Sequence, residues 1–526
     1  MKKNNLNVSF VFPLAGVTAL ASCTGKTAKR EESKPLNIVY IMTDDHTRQM
    51  MSCYDRRHME TPNLDRIADN GVIFENAFVA NSISGPSRAC LLTGKHSHKN
   101  GKLDNFTVFD GNQQTVQELL QQAGYQTAMI GKWHLDSRPT HFDHWEILPG
   151  QGEYYNPDFI TPEGKKQYEG YVTNITTDLA LEWLERGRDR SKPFCLFLHH
   201  KAVHRIWMGD TCDLQRYEDK TFELPDNFFD DYEGRPAAAA QQMSITNAHD
   251  MDIVYDLKMQ REGVKTRLSD SFVHGAYARL NPQQRAAWDA LYQPVINDFY
   301  RDNPQGRELA VWKYQRYMRD YAKTVTSLDR NVGRVLDYLQ ANDMLENSVI
   351  IYTSDQGFYM GEHGWFDKRF MYEESFSTPL VMLLPSRFKR RGTIHEMVQN
   401  IDFAPTMLDL AGAEIPSDIQ GISMLPLLRE DHSPQEWRPS LYYHYYEYPG
   451  EHAVKRHYGV RTGRYKLIHF YHDIDVWELY DLQNDPHEMR NLYGMSGYEQ
   501  VTQDLKNELK RLQEQYDDPI REQYPL

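Results

Sequence analysis

Cationic side chains are the minority charge in this sequence. Against 74 aspartates and glutamates there are 59 lysines and arginines, a formal net charge of −15 at neutral pH. That balance argues against nucleic acid as a partner, because phosphate-backbone binding needs a basic surface. It also repels small anions, so any anion site here has to be built from a local group of positive charges. Cysteine is scarce, with 5 residues in 526. Cys53, Cys90, Cys195 and Cys212 show no metal-ligand spacing and read as buried thiols or an incidental disulfide, not a framework. No internal repeat or low-complexity tract stands out, and no apolar run reaches the roughly 20 residues of a membrane-spanning helix.

An apolar stretch broken by a few small or polar residues, Val8 to Leu20, follows Lys2 and Lys3 and leads into Leu20-Ala21-Ser22-Cys23. It reads as an export signal. The last four residues look like a bacterial lipobox, which would make Cys23 the lipid-modified first residue of the mature chain, anchored to the outer membrane. A plain secretory signal cut nearby is the alternative. The expected location is the periplasm or the cell surface of a bacterium.

With 526 residues, 40% of them hydrophobic and 25% charged, the chain is too long for one ordinary core. The expected partition is a signal over 1–22, a tether over 23–35, a major domain over 36–430 and a smaller domain over 431–526. From Leu36 onward, apolar runs alternate with amphipathic segments, the pattern of a mostly parallel sheet covered by helices. Strands are predicted at Leu36 to Met42, Gln126 to Ile130, Phe194 to Leu198, Val349 to Thr353 and Pro379 to Leu384. Helices are predicted over 61–71, 115–123, 175–186, 312–342 and 402–411. Residues 205–310, long, polar and aromatic-rich, predict a mostly helical insertion over one sheet edge. After Pro426 four alternating segments predict a small antiparallel sheet, and Tyr498 to Tyr516 a final amphipathic helix.

In an open parallel sheet, ligands collect beyond the carboxyl ends of the strands. Several apolar runs end in polar groups: Asp44-Asp45, Gly131-Lys132-Trp133-His134, His199-His200-Lys201-Ala202-Val203-His204, and Asp355-Gln356-Gly357. The oxygens of Asp44, Asp45, Asp355 and Gln356 are hard ligands that suit calcium or magnesium better than zinc. Any one group alone also fits a surface turn; their recurrence at strand ends is the signal. Ser84-Gly85-Pro86-Ser87-Arg88-Ala89-Cys90-Leu91-Leu92-Thr93-Gly94 reads as a nucleophile at the start of a short helix stopped by glycine. The helix start favours an anion, and Arg88 adds a fork of donors that suits a tetrahedral oxyanion.

These eleven residues resemble the signature of the type I sulfatases, and the late runs 461–468 and 478–488 resemble the C-terminal domain of that family. The resemblance implies an alkaline-phosphatase-like α/β fold. It implies that Ser84 is oxidised to formylglycine (3-oxoalanine) by a formylglycine-generating maturation enzyme, a radical SAM enzyme in bacteria that use serine. It further implies that Asp44, Asp45, residue 84, Asp355 and Gln356 hold calcium, Gln356 replacing the commoner asparagine. Carried over by motif, Lys132, His134, His204 and Lys368 grip the sulfate and move protons. His204 is then the acid to the leaving group and His134 positions the formylglycine hydrate, although the reverse assignment is open; Arg88 holds the cluster together. Finer likeness points to N-acetylglucosamine-6-sulfatases acting on glycosaminoglycan or mucin glycans, with His363, Asp367 and His457 lining the sugar subsite. Two other readings stand beside it: a phosphate or phosphonate ester hydrolase of the same fold, and a glycan-binding lipoprotein whose Ser84 is never converted.

Overall fold

The segment Asn37–Thr43 is buried at all 7 positions, as a strand covered on both faces must be. In the computed structural model, which describes residues 35–429, 434 and 436–526, it lies inside a ten-stranded sheet. Strand order runs Gly392–Ile394, Gly71–Phe74, Leu380–Leu383, Ser348–Ser354, Asn37–Thr43, Phe194–His199, Gln126–Lys132, His144–Leu148, Asp158–Thr161, Gly164–Gln167. The five strands from Ser348–Ser354 to His144–Leu148 are parallel. Leu380–Leu383 is antiparallel to both its neighbours, and the far edge closes with two antiparallel strands. Cys23 and the expected signal lie outside the described residues.

Alternate residues of the central strand feed two cores. Val39 and Ile41 pack in one cluster with Val332 and Leu336 of the helix Gly306–Ala341. Ile38, Tyr40 and Met42 face the other, with Leu120 of Val116–Gln122 and Met407 of Phe403–Ala411. This two-sided burial is what the unbroken apolar run encodes. Register then does the functional positioning. Thr43 lies opposite Ser354, while Met42 and Gly131 each lie opposite His199. The residues that follow, Asp44-Asp45, Lys132, the 200–204 turn and Asp355, therefore emerge at one level of the sheet.

The insertion is corrected in character. Its one long helix is Pro282–Asp302, entered through a capping box between Asn281 and Gln284, whereas 205–281 is mostly turns with a few short helical ones. Buried carboxylates hold those turns in place of helical bonding. Asp252 Oδ1 accepts the N–H groups of Val254 and Tyr255, each at 2.9 Å, and Arg205 donates to both oxygens of Asp256. Such local side-chain bonding competes with the helix ladder, which an apolar-periodicity reading does not register.

The C-terminal sheet has four antiparallel strands, Ser440–Tyr445, His457–Thr462, Tyr465–Phe470 and Val476–Asp481. The helix Glu499–Gln515 covers it with Leu505, Leu509 and Leu512. All four cysteines among the described residues are free.

Gly131 has φ of +104°, and a Cβ there would collide with the His199 carbonyl. Gly131→Ala is expected to destabilise the protein by about 3 kcal/mol or more. Thermal unfolding reads it, and an unchanged midpoint would count against the tight strand approach.

Candidate active site

Ser84 opens the helix Ser84–Thr93, which ends at Gly94 in the left-handed region with φ of 66°. Its Oγ donates to Asp44 Oδ1 at 2.9 Å. One turn on, the Arg88 side chain is 1% exposed and reaches across to the strand ends. Its Nε and Nη2 donate to Asp355 Oδ2 at 3.2 and 2.9 Å, and its Nη1 to the Lys132 carbonyl at 2.7 Å. Two lysines meet the remaining carboxylates. Lys132 Nζ donates to Asp44 Oδ2, and Lys368 Nζ donates to Asp45 Oδ1 at 2.6 Å. Gln356 Nε2 donates to Asp45 Oδ1 at 2.5 Å and to Asp355 Oδ1 at 2.7 Å.

Two histidines flank this cluster. His204 Nδ1 lies 2.8 Å from the Arg205 carbonyl, so a neutral ring donates there and keeps Nε2 bare, 3.7 Å from Asp45 Oδ2. His134 Nε2 sits 3.2 Å from the Gln151 amide nitrogen, and its Nδ1 has no partner. Burial lowers both rings well below the ordinary histidine range, and Lys132 and Lys368 push them the same way. Both are therefore neutral in the free protein at neutral pH.

A divalent cation fits these donors. Burial pushes Asp45 up to about 7 even though Lys368 beside it pulls the other way. Asp45 Oδ2 and Gln356 Oε1 are buried acceptors with no donor. A buried acceptor without a partner costs about 1–3 kcal/mol, and a cation among Asp44, Asp45, Asp355 and Gln356 answers both. An amide can be turned end for end without changing shape, which would bring the Gln356 oxygen toward the carboxylates. Asp355 differs: burial would raise it, but Arg88, Lys132 and Lys368 together hold it low. Oxygen donors of this kind favour a hard ion.

Asp44, Asp45, Ser84, Arg88, Lys132, His134, His204, Asp355, Gln356 and Lys368 are thus gathered at one end of the sheet. Asp367 adjoins them; its Oδ1 accepts from Arg369 Nε at 3.0 Å, and Arg369 Nη1 continues to Glu447 at 2.5 Å. His363 and His457 are corrected, because neither lines this site. His457 accepts the Met371 N–H at 3.0 Å, meets the Lys455 carbonyl at 2.7 Å, and is walled in by Phe370, Tyr443 and Phe470. His363 is buried against Trp365 and Tyr372, with Nδ1 on Asp230 at 2.7 Å.

Three contributors went unassigned in the sequence. Gln151 Oε1 accepts from Lys132 Nζ; its position just after the strand His144–Leu148 was a usable signal. Lys201 donates to the Gln151 carbonyl at 3.2 Å, and burial lowers its ammonium to about 8. It lies inside a strand-end run already singled out. Asn105, whose Oδ1 accepts the Gly85 N–H at 3.0 Å, follows no strand and carried no signal.

Comparison with known proteins places the whole described chain in one family. The family described as Sulfatase matches residues 36–413, and that described as N-sulphoglucosamine sulphohydrolase, C-terminal, matches residues 361–515. A Bacteroides thetaiotaomicron protein described as N-acetylglucosamine-6-O-sulfatase is 50% identical over 516 residues, 97% of this chain and 91% of the relative. An arylsulfatase of Clostridium perfringens is 26% identical over 508 residues, 92% of this chain and 96% of its own. A solved structure, described as in complex with its substrate D-glucosamine-2-N,6-O-disulfate, superposes with a TM-score of 0.89 at 50% identity. That match covers 92% of this chain and 99% of the other.

Adding a divalent cation to chelator-treated protein is expected to raise the unfolding midpoint, by about 2.7 kcal/mol of stability at a hundredfold excess over Kd. Asp45→Asn should remove most of that gain. A parent protein indifferent to cations would contradict the ligand assignment.

Proposed function

The chain belongs to the sulfatase family, and we propose that it removes the 6-O-sulfate of N-acetylglucosamine, or a closely related glucosamine, from glycosaminoglycan or mucin fragments. The observation that carries this reading is the convergence of Ser84, Arg88, Lys132 and Lys368 on the three carboxylates, in a chain 50% identical to an N-acetylglucosamine-6-O-sulfatase. On this reading the protein is an exported lipoprotein of the periplasm or cell surface, matured by an enzyme that oxidises Ser84.

When present, a calcium ion held by Asp44, Asp45, Asp355 and Gln356 offsets charge on the sulfate, and a formylglycine at position 84 supplies the attacking oxygen. The chain's own residues do the rest. Lys132 and Lys368 grip the sulfate oxygens as charge shifts toward the departing group. Arg88, tied to Asp355 and to the Lys132 backbone, fixes the helix start against the strand ends. His204, with Nδ1 anchored on the Arg205 carbonyl, presents Nε2 to the leaving oxygen. Burial lowers this ring first and the lysine charges add to it; a bound sulfate opposes the lysine part, which favours the protonated form needed to donate. His134, tethered by Gln151, orients the attacking oxygen at position 84.

Ser84→Ala is expected to abolish turnover while leaving the unfolding midpoint within about 1 kcal/mol of the parent. Peptide mass spectrometry of active protein should find residue 84 two hydrogens lighter than serine. Unmodified serine in fully active protein would refute the nucleophile, and in inactive native protein would favour a glycan-binding role. His204→Ala should lower kcat about 100- to 10,000-fold for a sugar sulfate. The loss should be far smaller for 4-nitrophenyl sulfate, whose leaving group needs no acid. Equal losses on both would remove His204 from that role.

A further inference from the structure

Phe106 is 74% exposed and Val108 62%, the two most exposed large apolar side chains among the described residues. Both sit on the 102–109 loop, which is fastened beside the nucleophile. Asn105 Oδ1 accepts the Gly85 N–H at 3.0 Å, and the Asn105 N–H donates to Glu447 Oε2 at 3.1 Å. Asp104 Oδ1 accepts the N–H groups of Phe106 and Thr107 at 3.0 and 2.7 Å. Lys102 Nζ donates to the Thr107 carbonyl and pairs with Asp136 at 3.0 Å, on the turn that carries His134. The loop is thus stitched to the catalytic helix, to the His134 turn and to Glu447. A fixed backbone holds a phenyl ring out in water, at about 25 cal/mol for each Å² left unburied.

We propose that Phe106, with Val108 on the same loop, is a stacking platform for the sugar ring next to the sulfated one in an oligosaccharide substrate. The inference rests on the sugar-sulfate reading above and extends it from one ring to two. A pyranose offers C–H groups on its faces and hydroxyls around its edge. An exposed phenyl on a loop that also carries Asp104 and Asn105, with Glu447 bonded to its backbone, offers both parts. The apolar area is far below the roughly 1,200 Å² that a specific protein partner needs. The bond from the Gly85 N–H to Asn105 Oδ1 ties the loop that carries Phe106 to the residue after Ser84, which makes a sugar continuous with the reacting ester the occupant we assign to it.

The test is the ratio of kcat/KM for a 6-sulfated disaccharide to that for the 6-sulfated monosaccharide. Phe106→Ala is expected to lower this ratio about tenfold, through KM for the disaccharide, and Phe106→Trp to restore it. An unchanged ratio overturns the platform and leaves the sugar-sulfate reading standing. A parent protein that hydrolyses other sulfate esters but neither sugar overturns both. Binding gives a second readout. In the Ser84→Ala background, adding Phe106→Ala should weaken the disaccharide Kd about tenfold, and equal affinities would count against the platform.

Discussion

Three carboxylates, Asp44, Asp45 and Asp355, are buried together at the ends of two adjacent strands, and the surrounding structure is organised by what that arrangement requires. Two like charges 4 Å apart repel by about 4 kcal/mol at an effective dielectric of 20. Leaving a single ion unpaired in a protein interior costs several kcal/mol. Arg88, Lys132 and Lys368 reach the cluster from three distant parts of the chain, and the cation argued from the orphaned oxygens of Asp45 and Gln356 completes the balance. A site that concentrates positive charge this way can hold a sulfate ester even though the whole molecule carries net charge of −15 and repels anions at long range.

Part of the chain's backbone strain lies among these same residues. Asp45, His134, Asp367 and Arg369 all have positive φ, at 68°, 55°, 77° and 95°. Such conformations cost on the order of 1–3 kcal/mol each and persist only where the surroundings fix them. Here the fixing contacts are visible: the Asp45 carbonyl accepts from Tyr321 at 2.6 Å, and the Arg369 carbonyl from Tyr443 at 2.6 Å. At these positions strained backbone and buried charge adjoin, and aromatic hydroxyls hold the backbone carbonyls of Asp45 and Arg369.

The parts of this site that follow a parallel strand were readable from the chain, because an unbroken apolar run ending in Asp-Asp or Asp-Gln marks both a buried strand and its functional tip. The helix at Ser84 was readable from its serine, proline and stopping glycine. What could not be read are contacts made across the fold. Asn105 and Glu447 lie on loops whose composition is unremarkable and whose importance comes from where their partners stand. His363 and His457 show the converse. Their sequence surroundings look like a substrate loop, yet His457 spends both ring nitrogens on backbone groups and His363 pairs with Asp230. Residues 205–281 misled for a related reason: their order comes from buried acids binding backbone N–H groups, which leaves no periodic trace.

The C-terminal sheet is part of this logic. The His444 N–H donates to the Ala80 carbonyl at 3.1 Å, and the Tyr443 hydroxyl accepts the Ser82 N–H at 3.2 Å. Those contacts hold the segment that enters the helix at Ser84, while the same Tyr443 hydroxyl donates to Arg369, next to Lys368. One side chain thus bridges the segment that leads into Ser84 and the loop that carries Lys368. Because a misplacement of about 1 Å at a reacting centre can cost on the order of 100-fold in rate, a strand that fixes both segments at once bears on catalysis without touching the substrate. The match of one family description to residues 36–413 and of another to 361–515 overlaps across Lys368.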